Sequence, residues 1–314
     1  MLSLEINRLL EKAISQSSHE TYSRAIQAFH HFLRESGSIS GSLLPRSVDE
    51  VAKFVAFLSL RGLAASTIAT YLSGLAFYLK LNGMTDYTNN FLVRKLLRGV
   101  KLERKGNDSR LPITLSILTK VLSNLDMVAY SNFESCLFKA SFSLAFFAFL
   151  RVGEITGGKP SRHALCINDV TFGTLEGLAG MFINLRSSKT DQLGQGKTLF
   201  LARAIGSPLC PVIMMEKYLA GRPLVPGQLF VHFDGSPVTR FQFSRVLNKA
   251  VSFIEGLPTN RFTSHSFRIG AATCAAMHGF SNEQIQEWGR WKSSCVKRYI
   301  RPPVADLSLS AYQQ

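Results

Sequence analysis

The sequence predicts a mainly α-helical chain with a small β-sheet, an α+β fold in two parts. Three observations carry this. Apolar residues in the first third recur at helical steps, as in Tyr22, Ile26, Phe29 and Leu33. Residues 101–112 read K-L-E-R-K-G-N-D-S-R-L-P, polar and unpatterned, with Gly and Pro. Between Cys166 and Arg203 the pattern turns strand-like before helices resume. The break places one domain at 1–105 and a second at 106–314.

In the first part, Ser17-x-x-Glu20 reads as a capping box ahead of the Tyr22–Leu33 helix, which Gly37 ends. Ser47-x-x-Glu50 caps a second helix with Val51, Phe54, Val55 and Leu58 inward. A third runs from Ala65 to Leu81 on Ile68, Tyr71, Leu72, Leu75 and Leu79, and a short basic fourth spans Asn90 to Val100. In the second part, Thr114 caps a helix built on Ile117, Leu118, Val121, Leu122 and Leu125. The run from Asn132 to Phe149 is apolar nearly all round and reads as a buried helix; its core, Cys136 to Leu150, is too short to span a bilayer. Strand character appears at Cys166–Val170, Gly180–Arg186 and Gly196–Arg203, the last two forming a hairpin around S-S-K-T-D-Q-L-G-Q-G. Helices follow at Leu209–Leu219, Thr239–Glu255, Ser264–His278, Ser281–Trp288 and Ser294–Arg301.

Charge narrows the function. The 314 residues carry a net charge of +15 and 46% hydrophobic residues, so the chain is globular and strongly basic. The excess is shared between the two parts, which points to a polyanionic partner, nucleic acid ahead of a membrane surface. From Arg94 to Lys105 six basic residues meet a single acid. Arg94, Lys95, Arg98, Lys101, Arg104 and Lys105 are therefore candidate phosphate contacts. The five cysteines are odd in number, widely spaced and without C-x-x-C, which argues against a disulfide framework or zinc site and fits a reducing, intracellular compartment.

The chemistry concentrates late in the chain. Ser264 to Thr273 reads S-H-S-F-R-I-G-A-A-T, putting His265 and Arg268 on one helical face. Then comes G-R-W-K-S-S-C-V-K-R-Y-I-R, with Arg290, Trp291, Lys292 and Tyr299. Upstream, F-L-R-V-G-E places Arg151 and Glu154 behind the buried helix. Each residue alone has an ordinary structural explanation. Their order does not: Arg-x-x-Glu, a hairpin Lys, His-x-x-Arg, Gly-x-Trp, then Tyr resembles the tyrosine recombinase (phage integrase) family with its Cre- and Xer-like catalytic domain. The tract from Gly289 to Arg301 looks most like the Crypton- and DIRS-type recombinases of eukaryotic mobile elements.

The resemblance implies a helical core-binding domain at 1–105 and a catalytic domain at 106–314 that clamp a duplex from opposite sides. It implies Arg151 and Arg268 on the scissile phosphate, His265 as acid/base, Lys189 protonating the leaving 5′ oxygen, Trp291 in the position many members fill with His, and Tyr299 as nucleophile. Glu154 would support the site, and Arg290 and Lys292 would add DNA contacts. Lys197, on the returning strand, is the rival for the hairpin lysine. The implied reaction is cleavage and rejoining of DNA through a 3′-phosphotyrosyl link by a tetramer on two sites, with no metal, ATP or cofactor, and in the nucleus if the host is eukaryotic. A DNA-binding protein that no longer cuts, and type IB topoisomerase-like relaxation, stand as alternatives.

These residue types suit that chemistry. A phenol is mostly protonated at neutral pH, with a pKa of about 10, so its proton needs an acceptor. Two guanidiniums bind non-bridging phosphate oxygens bidentately and stay charged. The covalent phosphotyrosine keeps the bond energy for a 5′ hydroxyl to reverse the step.

Overall fold

The computed structural model describes residues 1–37, 43–104, 108–157, 163–187, 191, 194–291 and 294–301. The chain divides into two compact units, Met1–Asp108 and Ser109–Gln314.

Among the described residues the first unit has five α-helices: α1 (Leu2–Ala13), α2 (Gln16–Glu35), α3 (Val48–Leu60), α4 (Ala65–Leu81) and α5 (Phe91–Glu103). The α2 cap is Ser15, whose hydroxyl accepts the Ser18 N–H at 3.2 Å, two residues before the expected Ser17. The Ser15 backbone is extended, the conformation an N-cap requires, and Ser17 already lies inside the helix. Ser47 and Asn90 cap α3 and α5 through their side chains. Phe29, Phe32, Val51, Phe54, Ile68, Leu72 and Leu75 form the core, with Phe29 and Phe54 edge to face at 5.3 Å. Helices α2 and α4 cross closely at Gly74, where a Cβ would come within 2.7 Å of the Ala25 Cβ.

On α5, Val93 and Val100 turn inward while Arg94, Lys95, Arg98 and Lys101 stay exposed. Steps of four and three put Arg94, Arg98 and Lys101 on one face. Arg104 departs from the expected set. Its guanidinium donates to the Leu63 carbonyl at 2.6 Å and to the Ser59 carbonyl, so it tethers α5 to the end of α3 rather than facing a ligand. Lys105 lies outside the described residues.

The second unit comprises α6 (Leu115–Val128), α7 (Asn132–Phe147), α8 (Val152–Ile155), strands β1 (Val170–Leu175), β2 (Leu178–Leu185) and β3 (Lys197–Ala202), then α9 (Pro211–Gly221), α10 (Arg240–Ser252), α11 (Ser264–Met277) and α12 (Asn282–Gly289). The sheet is antiparallel in the order β1-β2-β3, with Val170 opposite Ile183 and Leu185 opposite Lys197. Glu176 and Gly177 turn β1 into β2, both at positive φ, as a tight two-residue hairpin requires. Every second residue of β2 (Met181, Ile183, Leu185) enters the core. Helix α7 runs through the centre of this unit, with Phe142 against Phe243 of α10 and Phe267 of α11.

Three expected elements differ. Ile167–Asp169 is a 3-10 turn rather than strand, because the Asp169 carboxylate folds back to accept the Cys166 N–H at 2.7 Å. Ser294–Arg298 is likewise 3-10 rather than α-helix. Helix α7 stops at Phe147, because Phe149 takes a left-handed φ of 50° and Leu150 N–H returns to the Ala145 carbonyl. Among the described residues no helix is long and apolar enough to cross a membrane.

Candidate active site

The site is assembled where several chain ends meet. The left-handed turn at Phe149 reverses the chain out of α7 and presents Arg151 as the N-cap of α8, one turn long. Glu154, 1% exposed, folds back so that its Oε2 accepts the Arg151 N–H at 2.8 Å and its Oε1 accepts the Arg151 guanidinium at 3.1 Å. Helix α11 begins at Thr263, whose hydroxyl accepts the His265 N–H, while Ser266 Oγ accepts the Thr263 N–H at 3.0 Å. That start places His265 in the first turn and Arg268 one turn on. The chain entering α6 runs beside α11: Leu111 N–H donates to the Arg261 carbonyl and Ile113 N–H to the Ser266 carbonyl. Only glycine fits at 270, where a Cβ would come within 1.9 Å of the Ile113 carbonyl oxygen.

Helix α12 ends in a second left-handed turn, at Arg290 with φ 55°, and Trp291 N–H returns to the Gln286 carbonyl. The indole then stacks over Arg268, whose guanidinium carbon lies 4.6 Å from the ring centre. Tyr299 packs against both, its ring centre 4.7 Å from that of Trp291 and 5.7 Å from the Arg268 guanidinium carbon. Thr273 of α11 holds that strand of chain, donating to the Tyr299 carbonyl at 3.3 Å and accepting the Arg301 N–H at 3.0 Å.

Arg268 is 1% exposed. Its two terminal nitrogens donate to the Phe149 carbonyl and, at 2.7 Å, to the Gly289 carbonyl, so it ties both left-handed turns to α11. Its Nε has no partner among the described residues. Burial, and then the neighbouring Arg151 and Arg290, lower its pKa to about 9, which still leaves a cation at neutral pH. His265 is half-buried, and its pKa is lowered by that burial and by Arg110, Arg268, Arg240 and Arg151 in turn. The positive end of the α11 dipole acts in the same direction. The imidazole is thus neutral at pH 7 and able to accept a proton.

Two sequence assignments change here. Arg290 is not a surface contact. Its side chain is 8% exposed and donates to Glu154 Oε2 at 2.7 Å and to the Ala148 and Phe149 carbonyls at 3.2 Å each. A buried carboxylate draws the nearest cations inward, since leaving it unpaired costs about 3–5 kcal/mol. Lys197, the rival hairpin lysine, starts β3 and is bonded to Glu287 of α12 at 3.0 Å. Lys189 and Lys292 lie outside the described residues.

The structure therefore gathers Arg151, Glu154, His265, Arg268, Arg290, Trp291 and Tyr299. It adds Arg110 and Arg240, which reach His265 electrostatically and which sequence reasoning passed over. Arg240 opens α10, and Thr239 pairs with Gly157 just beyond α8, which brings it to the Arg151 side. In the sequence Arg240 is visible only as part of the helix expected at Thr239–Glu255; the structure shows Thr239 and Gln242 forming the capping box around it. The cluster is cationic and lies apart from the apolar cleft of about 580 Å³ between β3, α7, α11 and α12, which Leu199, Phe200, Cys274, Phe280 and Trp288 line. Several guanidiniums against one buried carboxylate suit an anion larger than a single carboxylate.

A helical unit followed by an α+β unit that closes two arginines, a neutral histidine and a packed tyrosine into one cluster is an arrangement similar to that of the tyrosine recombinase, or phage integrase, class, and comparison with known proteins leads to the same class. Residues 6–81 match the family described as phage integrase, N-terminal SAM-like domain. The chain is 26% identical to the integrase/recombinase xerD homolog of Selenomonas ruminantium, across 95% of this chain and 85% of that protein. Among solved structures, the fold is similar to the XerH site-specific recombinase bound to palindromic difH substrate, with TM-score 0.64 and 18% identity over 94% of this chain and 79% of that one. It is also similar to a lambda integrase dimer bound to a COC′ core site, with TM-score 0.60 and 17% identity over 97% and 95% of the two chains. The Tn1549 transposon integrase in complex with transposon right end DNA matches with TM-score 0.55 and 14% identity over 91% and 98%.

Proposed function

We propose that the chain is a site-specific DNA recombinase that cleaves and rejoins strands through a 3′-phosphotyrosyl intermediate. The observation that carries this is the mutual packing of Arg268, Trp291 and Tyr299 beside Arg151 and His265, which sets a phenol next to guanidiniums of the kind that bind phosphate. Arg151 and Arg268 bind the non-bridging oxygens of the scissile phosphate and neutralise the charge that builds there. Because Tyr299 and Trp291 cover Arg268, the phosphate reaches it as the Tyr299 ring moves aside. The Tyr299 oxygen attacks phosphorus, the bond to the 5′ oxygen breaks, and the phenol proton passes to neutral His265. The 5′ oxygen leaves as a hydroxyl, taking its proton from the hairpin lysine, for which Lys189 is the candidate. The exposed face of α5 (Arg94, Lys95, Arg98, Lys101) holds backbone phosphates. The unit Met1–Asp108 is the core-binding domain and Ser109–Gln314 the catalytic one. Joining two duplexes calls for four subunits, and a lambda integrase tetramer bound to a Holliday junction has a similar fold, with TM-score 0.60 at 16% identity.

The test is covalent trapping. The chain is incubated with a pool of nicked duplexes and run on a denaturing gel. A protein–DNA adduct is expected, and sequencing the trapped DNA identifies the site. Firm binding without any adduct would instead favour a DNA-binding protein that does not cut.

The pH dependence follows from His265. Its folded pKa is lowered, so the unfolded chain takes up its proton first as pH falls. The stability associated with a neutral His265 is complete above the unfolded value of about 6.5 and is lost as pH drops through the lower folded value. Adduct formation should show the same acid limb, with its midpoint below about 6.5. His265→Gln should remove the limb. A limb that persists in this variant would assign the acceptor role elsewhere.

A further inference from the structure

Resting on the recombinase reading, the geometry points to a third arginine, Arg290, as a positioning residue that keeps the phosphate-binding pair available. We infer that Arg290 competes with Arg151 for Glu154, and that this competition leaves the outer donors of Arg151 for the scissile phosphate.

Glu154 is the one carboxylate bonded in this cluster among the described residues, and it is 1% exposed. Its Oε2 is saturated by the Arg151 backbone N–H at 2.8 Å and by Arg290 at 2.7 Å. Only Oε1 remains for the Arg151 side chain, which meets it through a single nitrogen at 3.1 Å. The second Arg151 contact is long, 3.5 Å to the Arg290 carbonyl. A guanidinium carries five N–H donors in a fixed fork. Held this way, Arg151 keeps most of them unspent, and its side chain is 20% exposed. Without Arg290, the buried carboxylate would draw the Arg151 fork into a bidentate pair, which is the stronger geometry. The arginine would then face inward.

Arg290 also acts on Arg268. It donates to the Ala148 and Phe149 carbonyls, and Phe149 O is the same oxygen that accepts from Arg268. The Gly289 carbonyl that takes the other Arg268 nitrogen directly precedes Arg290. Arg290 sits at φ 55°, a conformation that disfavours side chains other than Gly, Asn or Asp. Glycine would fit the backbone without strain but could make none of these bonds. A strained residue whose side chain is held by three bonds to the catalytic frame is the pattern expected of a positioning role.

The experiment measures single-turnover adduct formation at saturating DNA, beside DNA affinity and thermal melting. Destabilisation alone lowers the melting temperature and the reacting fraction but leaves the rate constant of the folded fraction unchanged. Arg290→Met is expected to slow that rate constant about 100-fold, with DNA affinity changed by less than about threefold. The double variant Glu154→Gln, Arg290→Met removes the competing charge and should regain at least about tenfold over Arg290→Met. If Arg290→Met does not fold, Arg290→Lys decides, because lysine keeps the charge but not the fork that spans two carbonyls; it should be slowed about tenfold at unchanged affinity. The inference is overturned by an unchanged rate constant, by a double variant no faster than the single one, or by affinity falling in step with rate. A wild-type chain that forms no adduct would defeat the recombinase reading itself, and the inference with it, and the wild-type lane alone reveals that case.

Discussion

Tyr299→Phe should abolish the covalent adduct while leaving DNA affinity nearly unchanged. The ring is fixed by its packing on Trp291 at 4.7 Å, and phenylalanine keeps that packing. The backbone is fixed by Thr273 and by the Tyr299 N–H to the Val296 carbonyl at 2.8 Å, neither of which involves the hydroxyl. The hydroxyl itself has no hydrogen-bond partner among the described residues, so its removal leaves no group unpaired. Only the attacking oxygen is lost, and losing a nucleophile typically costs 10⁴-fold or more in rate, on the order of complete loss on a gel. Binding can be followed by fluorescence anisotropy and the adduct by denaturing electrophoresis. An adduct that survives in this variant would transfer the role to another tyrosine, Tyr312 being the nearest in sequence.

Arg268→Ala is expected to be the most damaging of the arginine substitutions, for two separable reasons. The guanidinium satisfies the Phe149 and Gly289 carbonyls in a site 1% exposed, and leaving each unpaired costs about 1–3 kcal/mol. The indole of Trp291 also loses the cation beneath it. The melting temperature should therefore fall clearly. At a temperature where the variant is folded, adduct formation should drop roughly 10²–10³-fold, the usual effect of removing one donor to a developing oxyanion. DNA affinity should drop much less, because it rests on many phosphates. Parallel loss of affinity and rate would reduce Arg268 to an ordinary DNA contact.

Much of this organisation can be read without coordinates, wherever one residue's chemistry suffices. Helices α3, α4 and α6 appear where the apolar spacing puts them, and Ser47 and Thr114 cap as their hydroxyls allow. The Gly-rich stretch before Lys197 and the alternation of β2 announce the hairpin. Strand β1 is not announced, because its exposed face is irregular and its turn rests on Glu176 and Gly177, an unremarked pair. Helix α8 is missed because four residues carry no period. The segment from Ser294 to Arg298 has helical composition but coils as a 3-10 helix, and Thr273 bonds the chain just beyond it, at Tyr299 and Arg301.

The site divides in the same way. Sequence nominates the candidates: the order of residue types, through the resemblance it carries, picks out Arg151, Glu154, His265, Arg268, Trp291 and Tyr299, and the structure brings all six together. What it could not determine was the use of each cation. Arg104 and Arg290 look like Arg94 or Lys101 in a string of letters, yet two of these four are consumed by backbone carbonyls and a buried carboxylate. Arg240 looks like a helix start, yet its charge acts on His265. A guanidinium's role depends on the solvent and partners around it, and those are set by distant segments: the turn after α7, the turn after α12 and the start of α11. Tertiary structure decides it because desolvation leaves a charge only the partners that packing supplies.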